Sequence, residues 1–267
     1  MKDNWTAIGI GGALGCVFIS MFMDGGNPAV LIKPSPLLLV FGGTFFAATA
    51  GYMKSDLKSI KVMIKLATKS NVADADFVIQ EMARFASLAK TSGILALEKE
   101  AKNIEDPFLR RGLELAADGT NSEEMREVLE TEISSTEARH RMGAKIFADM
   151  GGFAPTLGII GTVLGLVHVL GSLNDPGSLG PAIGAAFTAT LWGVLSANLV
   201  WLPISNKLKR LSDEEVRYKE LVIEGLLAVQ EGLSGPQLRD RLVPFLPPGE
   251  RQQADESTSR VPRENAA

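Results

Sequence analysis

Charge is missing from most of the apolar sequence. No Asp, Glu, Lys or Arg occurs in 4–23, 34–53, 150–174 or 176–206. The charge lies almost wholly in 54–149 and 207–267. Four uncharged apolar blocks beside two charge-dense blocks exclude an ordinary water-soluble globule and describe a polytopic membrane protein with soluble insertions. Cysteine is nearly absent. The one residue, Cys16, lies in an apolar block, which excludes a disulfide framework and a Cys-based metal site. No P-loop, no zinc spacing and no nucleophile–base set is present, so neither an enzyme nor a metal site is expected. The net charge of −4 gives no reason to invoke nucleic acid. The most telling absence is acidic. A protein that moves H+ or Na+ needs an ionisable or oxygen-rich group at membrane depth. Here no carboxylate lies there, so for ion conduction a partner must bring one.

A helix rises about 1.5 Å per residue, so roughly 20 apolar residues cross a ~30 Å hydrocarbon core. Trp5 to Met23, Leu37 to Met53, Gly151 to Leu173 and Pro181 to Ile204 meet that length. The first is not expected to be a signal peptide, since its n-region is scarcely basic and no small-x-small site follows Met23. Orientation follows from Lys and Arg. The 24–36 connection holds only Lys33 and the 172–180 connection holds none, against fifteen in 54–149 and ten after 206. Lys54, Lys58, Arg139, Arg141, Lys145, Lys207, Lys209 and Arg210 flank the spans on one side. Both termini are therefore expected in the cytoplasm, with two short loops outside.

The soluble parts read as helical. Phe77, Val78, Met82, Phe85 and Leu88 recur near helical spacing. Gly93 interrupts, and Ile94 to Asn103 resumes. Pro107 starts a helix that ends near Asp118-Gly119. Asn121-Ser122-Glu123-Glu124 supplies a cap and first-turn acids for a long helix expected to continue into the third span. Another helix is expected over Asn206 to Gly232. The organisation expected is an all-α chain: 1–53 with spans one and two, 54–149 a cytoplasmic helical domain, 150–206 with spans three and four, 207–246 a helical tail, and 247–267 disordered.

Spans three and four are built for close contact. At 100° per residue, Pro155, Gly158, Thr162 and Gly165 share a stripe, as do Ala186, Thr190, Gly193 and Ala197. Small faces let helices approach closely in lipid. Each stripe carries one hydroxyl, Thr162 or Thr190. Either could merely bond back to its own helix. Pro155 and Pro203 each free a backbone carbonyl and can kink their spans. His140 reads as solvated, and His168 as a packed or interfacial histidine.

The run Phe153-Ala154-Pro155-Thr156-Leu157-Gly158 through Gly165-Leu166 and His168 resembles the third span of the flagellar stator A subunit, the MotA/PomA family. Gly184 to Gly193, then Ser196-Ala197-Asn198 and Trp201 to Leu208, resembles its fourth. Leu95-Ala96-Leu97-Glu98 is similar to its cytoplasmic "LALE" motif. The resemblance covers roughly residues 5–235. It implies a subunit of the inner membrane that, with a stator B subunit (MotB/PomB-like), forms a channel for H+ or Na+ and no other cofactor. It also implies a pentamer around a B-subunit dimer, embedded in the bilayer and pushing the rotor protein FliG. Carried over by position, Thr162 and Thr190 would lie on the ion pathway. Pro155 and Pro203 would couple ion movement to conformation, and Lys90 and Glu98 would contact the rotor. Position 90 departs from the family pattern, where Arg is usual. Thr162 leans towards sodium, because a hydroxyl can replace one hydration oxygen. Two other readings compete: a TolQ/ExbB-like energy-transducing subunit, which usually has three spans, and a non-conducting membrane scaffold.

Overall fold

The structure is a computed structural model that describes residues 2–68, 70–71, 75–171, 173–174, 176–246, 249 and 251. In chain order the helices are α1 (Trp5–Met23), α2 (Pro34–Leu37), α3 (Gly43–Thr49), α4 (Lys54–Lys58), α5 (Ile60–Thr68) and α6 (Ala75–Ser92). Then come α7 (Leu97–Ala101), α8 (Pro107–Ala117), α9 (Ser122–Gly171), α10 (Pro176–Ser196), α11 (Leu202–Gln230) and α12 (Gly235–Leu242). Two π-helical segments, Leu38–Gly42 and Ala197–Trp201, join α2 to α3 and α10 to α11. The all-α expectation stands, with one small addition: Lys2–Asp3 and Ser70–Asn71 pair as two-residue antiparallel strands.

Among the described residues three helices are long and apolar enough to cross a membrane: Trp5–Met23, a stretch of Ser122–Gly171, and a stretch of Leu179–Gln230. The expected second span is shorter than the spacing of charges suggested. It covers Pro34–Thr49, beginning three residues before Leu37 and stopping four before Met53. Pro34 and Pro36 fit because a first helical turn needs no N–H donor. Sixteen residues rise about 24 Å, less than a full hydrocarbon core. The first span matches its expected limits. Gly25, at φ +74°, turns the chain after α1, and the Gly26 N–H closes the turn on the Met21 carbonyl at 2.9 Å. None of the α1 residues is buried. A helix apolar all round with no buried face is made for lipid or for a partner chain.

The chain divides into two compact units. One is Val72–Ala138 with Asp213–Ala267, and the other is Lys2–Asn71 with Arg139–Ser212. Residues 54–71 and 139–149, which the sequence places with the helical domain, thus group with the spans. The expectation of disorder over 247–267 falls outside the described residues, Gly249 and Arg251 excepted.

The first unit has a closed apolar core. Met82 and Phe85 of α6, Leu97, Leu113, Met125 and Leu129, and Leu221 and Leu226 of α11 are fully buried together. α8 starts at Pro107 as expected, and Asp106 caps it, accepting the Phe108 and Leu109 N–H groups at 2.8 and 3.0 Å. Asn121 Oδ1 accepts the Glu124 N–H at 2.8 Å at the start of α9. That helix then runs unbroken for 50 residues, through Gly143, Gly151 and Pro155. Gly112 leaves room for Leu226, whose Cδ1 lies 2.2 Å from where a Cβ would stand.

The second unit packs Ala48, Ala67, Ile146, Phe147, Met150, Ile204 and Leu208 into its own core. Buried Ser205 donates to the Ala144 carbonyl at 2.8 Å, tying α11 to α9. The connection before α2 is fastened from inside the unit. Trp192 Nε1 donates to the Leu31 carbonyl at 2.9 Å, and Lys33 Nζ donates to the Pro181 carbonyl at 2.9 Å. Non-helical backbone beside a bilayer must find such partners within the protein.

Candidate functional site

The two small-residue stripes face one another. A Cβ on Gly158 would lie 3.0 Å from the Ala189 carbonyl oxygen and 3.1 Å from Thr190 Cα. One on Gly193 would lie 2.7 Å from the Ala154 carbonyl oxygen, and one on Gly165 would lie 2.6 Å from Ala186 Cβ. Only hydrogen fits at these positions, so α9 and α10 touch backbone to backbone along several turns. This is why the stripes are small: without Cβ atoms, dispersion and polar contacts between backbones replace the hydrophobic drive that lipid removes.

That approach brings Thr162 and Thr190 together. Their hydroxyls hydrogen-bond to each other. Thr162 Oγ1 lies 3.2 Å from the Gly158 carbonyl oxygen of its own helix and 3.2 Å from the Ala186 carbonyl oxygen opposite. Thr190 Oγ1 lies 3.2 Å from the Gly158 carbonyl oxygen, again across the helix pair. Back-bonding within one helix therefore describes only one of the available contacts of Thr162 and none of those of Thr190. Two hydroxyl protons serve a cluster of four oxygens, so lone pairs are in surplus. Both threonines are half-buried. Such a cluster can accept from a proton donor or ligate a hard cation, which takes oxygen ligands. It holds no charge of its own.

The prolines lie outside this cluster, Pro155 in α9 and Pro203 at the start of α11. Pro155 sits inside α9, four residues after Gly151. Pro203 follows the π-helical segment Ala197–Trp201. A proline ring presses on the carbonyl four residues earlier, here that of Leu199. The extra residue in the wider π turn relieves that pressure without ending the helix. Asn198 Nδ2 donates to the Val194 carbonyl at 2.9 Å in the same turn. The π segments were not legible as such, although a proline after an uninterrupted apolar run was the available signal.

Lys90 and Glu98 lie in the other unit, on the last turn of α6 and the first of α7, either side of Gly93. Both are exposed. Glu98 pairs with Lys102 at 3.0 Å, a solvated contact worth well under about 1 kcal/mol. Nearby, Arg84 bridges Glu81 and Glu100 at 2.9 and 2.7 Å. His168 is exposed on α9. Among the described residues no cluster of His, Cys, Asp and Glu could hold a metal ion.

Other polar contacts escaped the sequence reading. Trp192 also stacks at a tilt on Phe41, ring centres 5.8 Å apart. Tyr52 donates to Asp149 at 2.5 Å, and Lys145 donates to the same carboxylate at 2.7 Å. In the other unit Glu224 accepts from Arg126 at 2.6 Å and from Arg241 at 3.1 Å. Partial burial raises the Glu224 pKa, but the two guanidinium groups outweigh it and hold the carboxyl below its ordinary value.

Comparison with known proteins settles what this geometry belongs to. The profile of the MotA/TolQ/ExbB proton channel family matches residues 100–221. Motility protein A of Bacillus subtilis (strain 168) is 35% identical over 250 residues, covering 93% of each chain. The chain belongs to the motility protein A family. Motility protein A of Cereibacter sphaeroides is 39% identical over 90% of this chain and 94% of its own. The flagellar MotAB stator complex from Bacillus subtilis contains a chain of the same fold. Its TM-score is 0.89 at 34% identity, over 94% of this chain and 99% of that one. The motility protein A family is one of membrane-embedded stator subunits, in keeping with the apolar helices here.

Proposed function

We propose that the chain is the A subunit of a flagellar stator. It joins a B subunit in a transmembrane channel, and the channel couples H+ or Na+ flow to torque on the rotor. The observation that carries this reading is the oxygen cluster of Thr162 and Thr190 in a pair of spans that hold no carboxylate. An uncharged, lone-pair-rich site is half of an ion site. A carboxylate on the B subunit's helix would be the other half. It would bind the ion, and its neutralisation would remove a buried charge that α9 and α10 must otherwise solvate.

In this scheme Pro155 and Pro203 are the places where α9 and the α10–α11 continuation change shape. Each lacks one intrahelical hydrogen bond, so bending there breaks none. Lys90 and Glu98 carry the rotor contact on FliG. Exposed pairs are individually weak, which suits a contact made and broken at each step. The A subunits form a pentamer around a B-subunit dimer. The complex sits in the inner membrane with both termini in the cytoplasm, as the basic flanks require. The coupling ion is H+ or Na+; the Thr162 hydroxyl leans towards sodium, since it adds an oxygen to a cluster that a proton would not need.

The test is complementation. Co-expressed with its B subunit in a strain lacking stators, the chain should restore swimming, and carboxylate removal on the B subunit should abolish it. Swimming speed should rise with external Na+ at fixed pH. Speed that follows the proton gradient alone would reassign the ion. No restored motility, together with rescue of an envelope-transport defect, would favour the TolQ/ExbB-like reading.

A further inference from the structure

The stretch after the second span puts basic and apolar side chains on one short helix. α5 packs inward with Met63 and Ala67, and Ala67 is buried in the core of the second unit. Met63 lies over Gly143 of α9, where a Cβ would stand 2.3 Å from Met63 Cε. At 100° per residue, pairs four apart divide the rest of the helix. Lys61 and Lys65 take the side away from the core. Val62 and Leu66 lie between the lysines and the packed face, and they are 67% and 45% exposed. Lys54 and Lys58 of α4 repeat the four-residue spacing. All four lysines are exposed. Among the described residues none of their ammonium groups has an ion-pair or hydrogen-bond partner.

Both ends of this stretch are held where spans meet the membrane surface. It starts at Lys54, five residues after the second span ends at Thr49. Beyond α5, Ser70–Asn71 pairs as a strand with Lys2–Asp3, and the first span begins at Trp5. A segment held to the ends of two spans runs along the bilayer rather than away from it. The second span, Pro34–Thr49, rises about 24 Å, short of a ~30 Å hydrocarbon core. A short span draws its flanks towards the hydrocarbon. An exposed apolar pair beside a row of lysines at that level is the pattern of a helix lying in the interface, its ammonium groups reaching the headgroups over buried stems.

We propose that α4 and α5 lie in the headgroup layer of the bilayer, with Val62 and Leu66 at the acyl boundary and Lys54, Lys58, Lys61 and Lys65 on anionic phospholipids. Charge and position select the partner. Four unpaired like charges need a surface of opposite sign, and the spans at both ends bring a lipid surface to them. A second copy laid on the same face would set its own lysines against these. The contact holds these ends of spans one and two in place while α9 and α10 move. It rests on the membrane reading of the spans and is independent of the coupling ion and of the rotor, which swimming tests separately.

The experiment uses the complete A–B complex with a cysteine-free B subunit. The A chain carries Cys16→Ser and Leu66→Cys, with a bimane label at position 66. It is reconstituted in vesicles of equal phosphatidylglycerol and phosphatidylcholine, brominated on the acyl chains of one lipid or of the other. Both should quench the label, and brominated phosphatidylglycerol should quench it about twofold more strongly. Lys58→Gln/Lys61→Gln/Lys65→Gln should leave the label quenched and make the two lipids equal. High salt should do the same to the unaltered lysines. A label on Val62→Cys should behave alike, and it decides if the label at 66 prevents assembly. No quenching by either lipid would overturn the proposal. So would equal quenching with the lysines intact, an unchanged preference in the glutamine variant, or a cysteine at position 66 that cross-links to a second A chain in the bilayer.

Discussion

Thr190 has two kinds of partner, and they predict different variants. Its hydroxyl meets Thr162 and the Gly158 carbonyl across the helix pair. Thr190→Ala should leave the protein in the membrane, because the glycine contacts of α9 and α10 remain, yet abolish or strongly impair swimming. Thr190→Ser should be milder, since the hydroxyl survives. Wild-type swimming of Thr190→Ala would make the hydroxyl a packing group only. In the helical domain Glu224 supplies a pH-dependent prediction. Its pKa is depressed on folding, so its contribution is present above the ordinary carboxyl value of 4.5 and is lost as pH falls through the lower folded value. Glu224→Gln should therefore unfold more easily at pH 7, by roughly 1 kcal/mol after allowing for solvent exposure. The gap from wild type should close in strong acid. A gap that stays constant from pH 7 to pH 2 would remove the guanidinium pairing as its cause.

The elements that carry the site are held by a few contacts at their ends. Trp192 joins α10 to the connection before α2 through the Leu31 carbonyl, and its ring packs on Phe41. Trp192→Phe keeps an aromatic ring and removes only the donor. Leaving that carbonyl without its partner should cost about 1–3 kcal/mol, read as an earlier thermal unfolding of the purified complex. Pro203→Ala should act differently. It restores an N–H where the π turn has already made room, so the helix can straighten. Assembly with the B subunit should persist while torque falls, measured as tethered-cell rotation under load. An assembly failure would make Pro203 a folding residue instead. Charge-free length located all the spans, but it overran the second one. Residues 50–53 are uncharged yet leave the helix, because a turn places Tyr52 against Asp149. No local pattern encodes that contact across 97 residues.

At the scale of the whole chain, the orientation and the rotor contact stand or fall together. With Cys16→Ser as background, cysteines at Asn27 and Asn103 should separate cleanly. Asn27, which is exposed, should label from outside intact cells, and Asn103, also exposed, should not. External labelling at Asn103 would turn the helical domain away from the rotor. Glu98→Lys should then impair swimming while assembly and ion conduction persist, and an opposite reversal on the rotor should restore part of it. The present partner of Glu98, Lys102, is solvated and exchangeable, so stability should change by no more than about 0.5 kcal/mol.

By itself the sequence determined the number and order of the apolar segments, the side on which charge collects, the helix start at Pro107 and the cap at Asn121, and the small stripes on α9 and α10. These are properties of neighbours along the chain. Periodicity, capping chemistry and the cost of burying charge act within a few residues. It also carried the family resemblance, since the stripes, the prolines and the "LALE" run lie in contiguous motifs. Only the tertiary structure decided that the two stripes meet each other, and that Thr162 and Thr190 share a hydrogen bond rather than each turning back on its own helix. It alone showed the π turns, which depend on how a helix yields to packing. It alone paired Trp192 with Leu31 and Tyr52 with Asp149. Those contacts join positions tens to more than a hundred residues apart, where the relative rotation of two helices decides which side chains can reach.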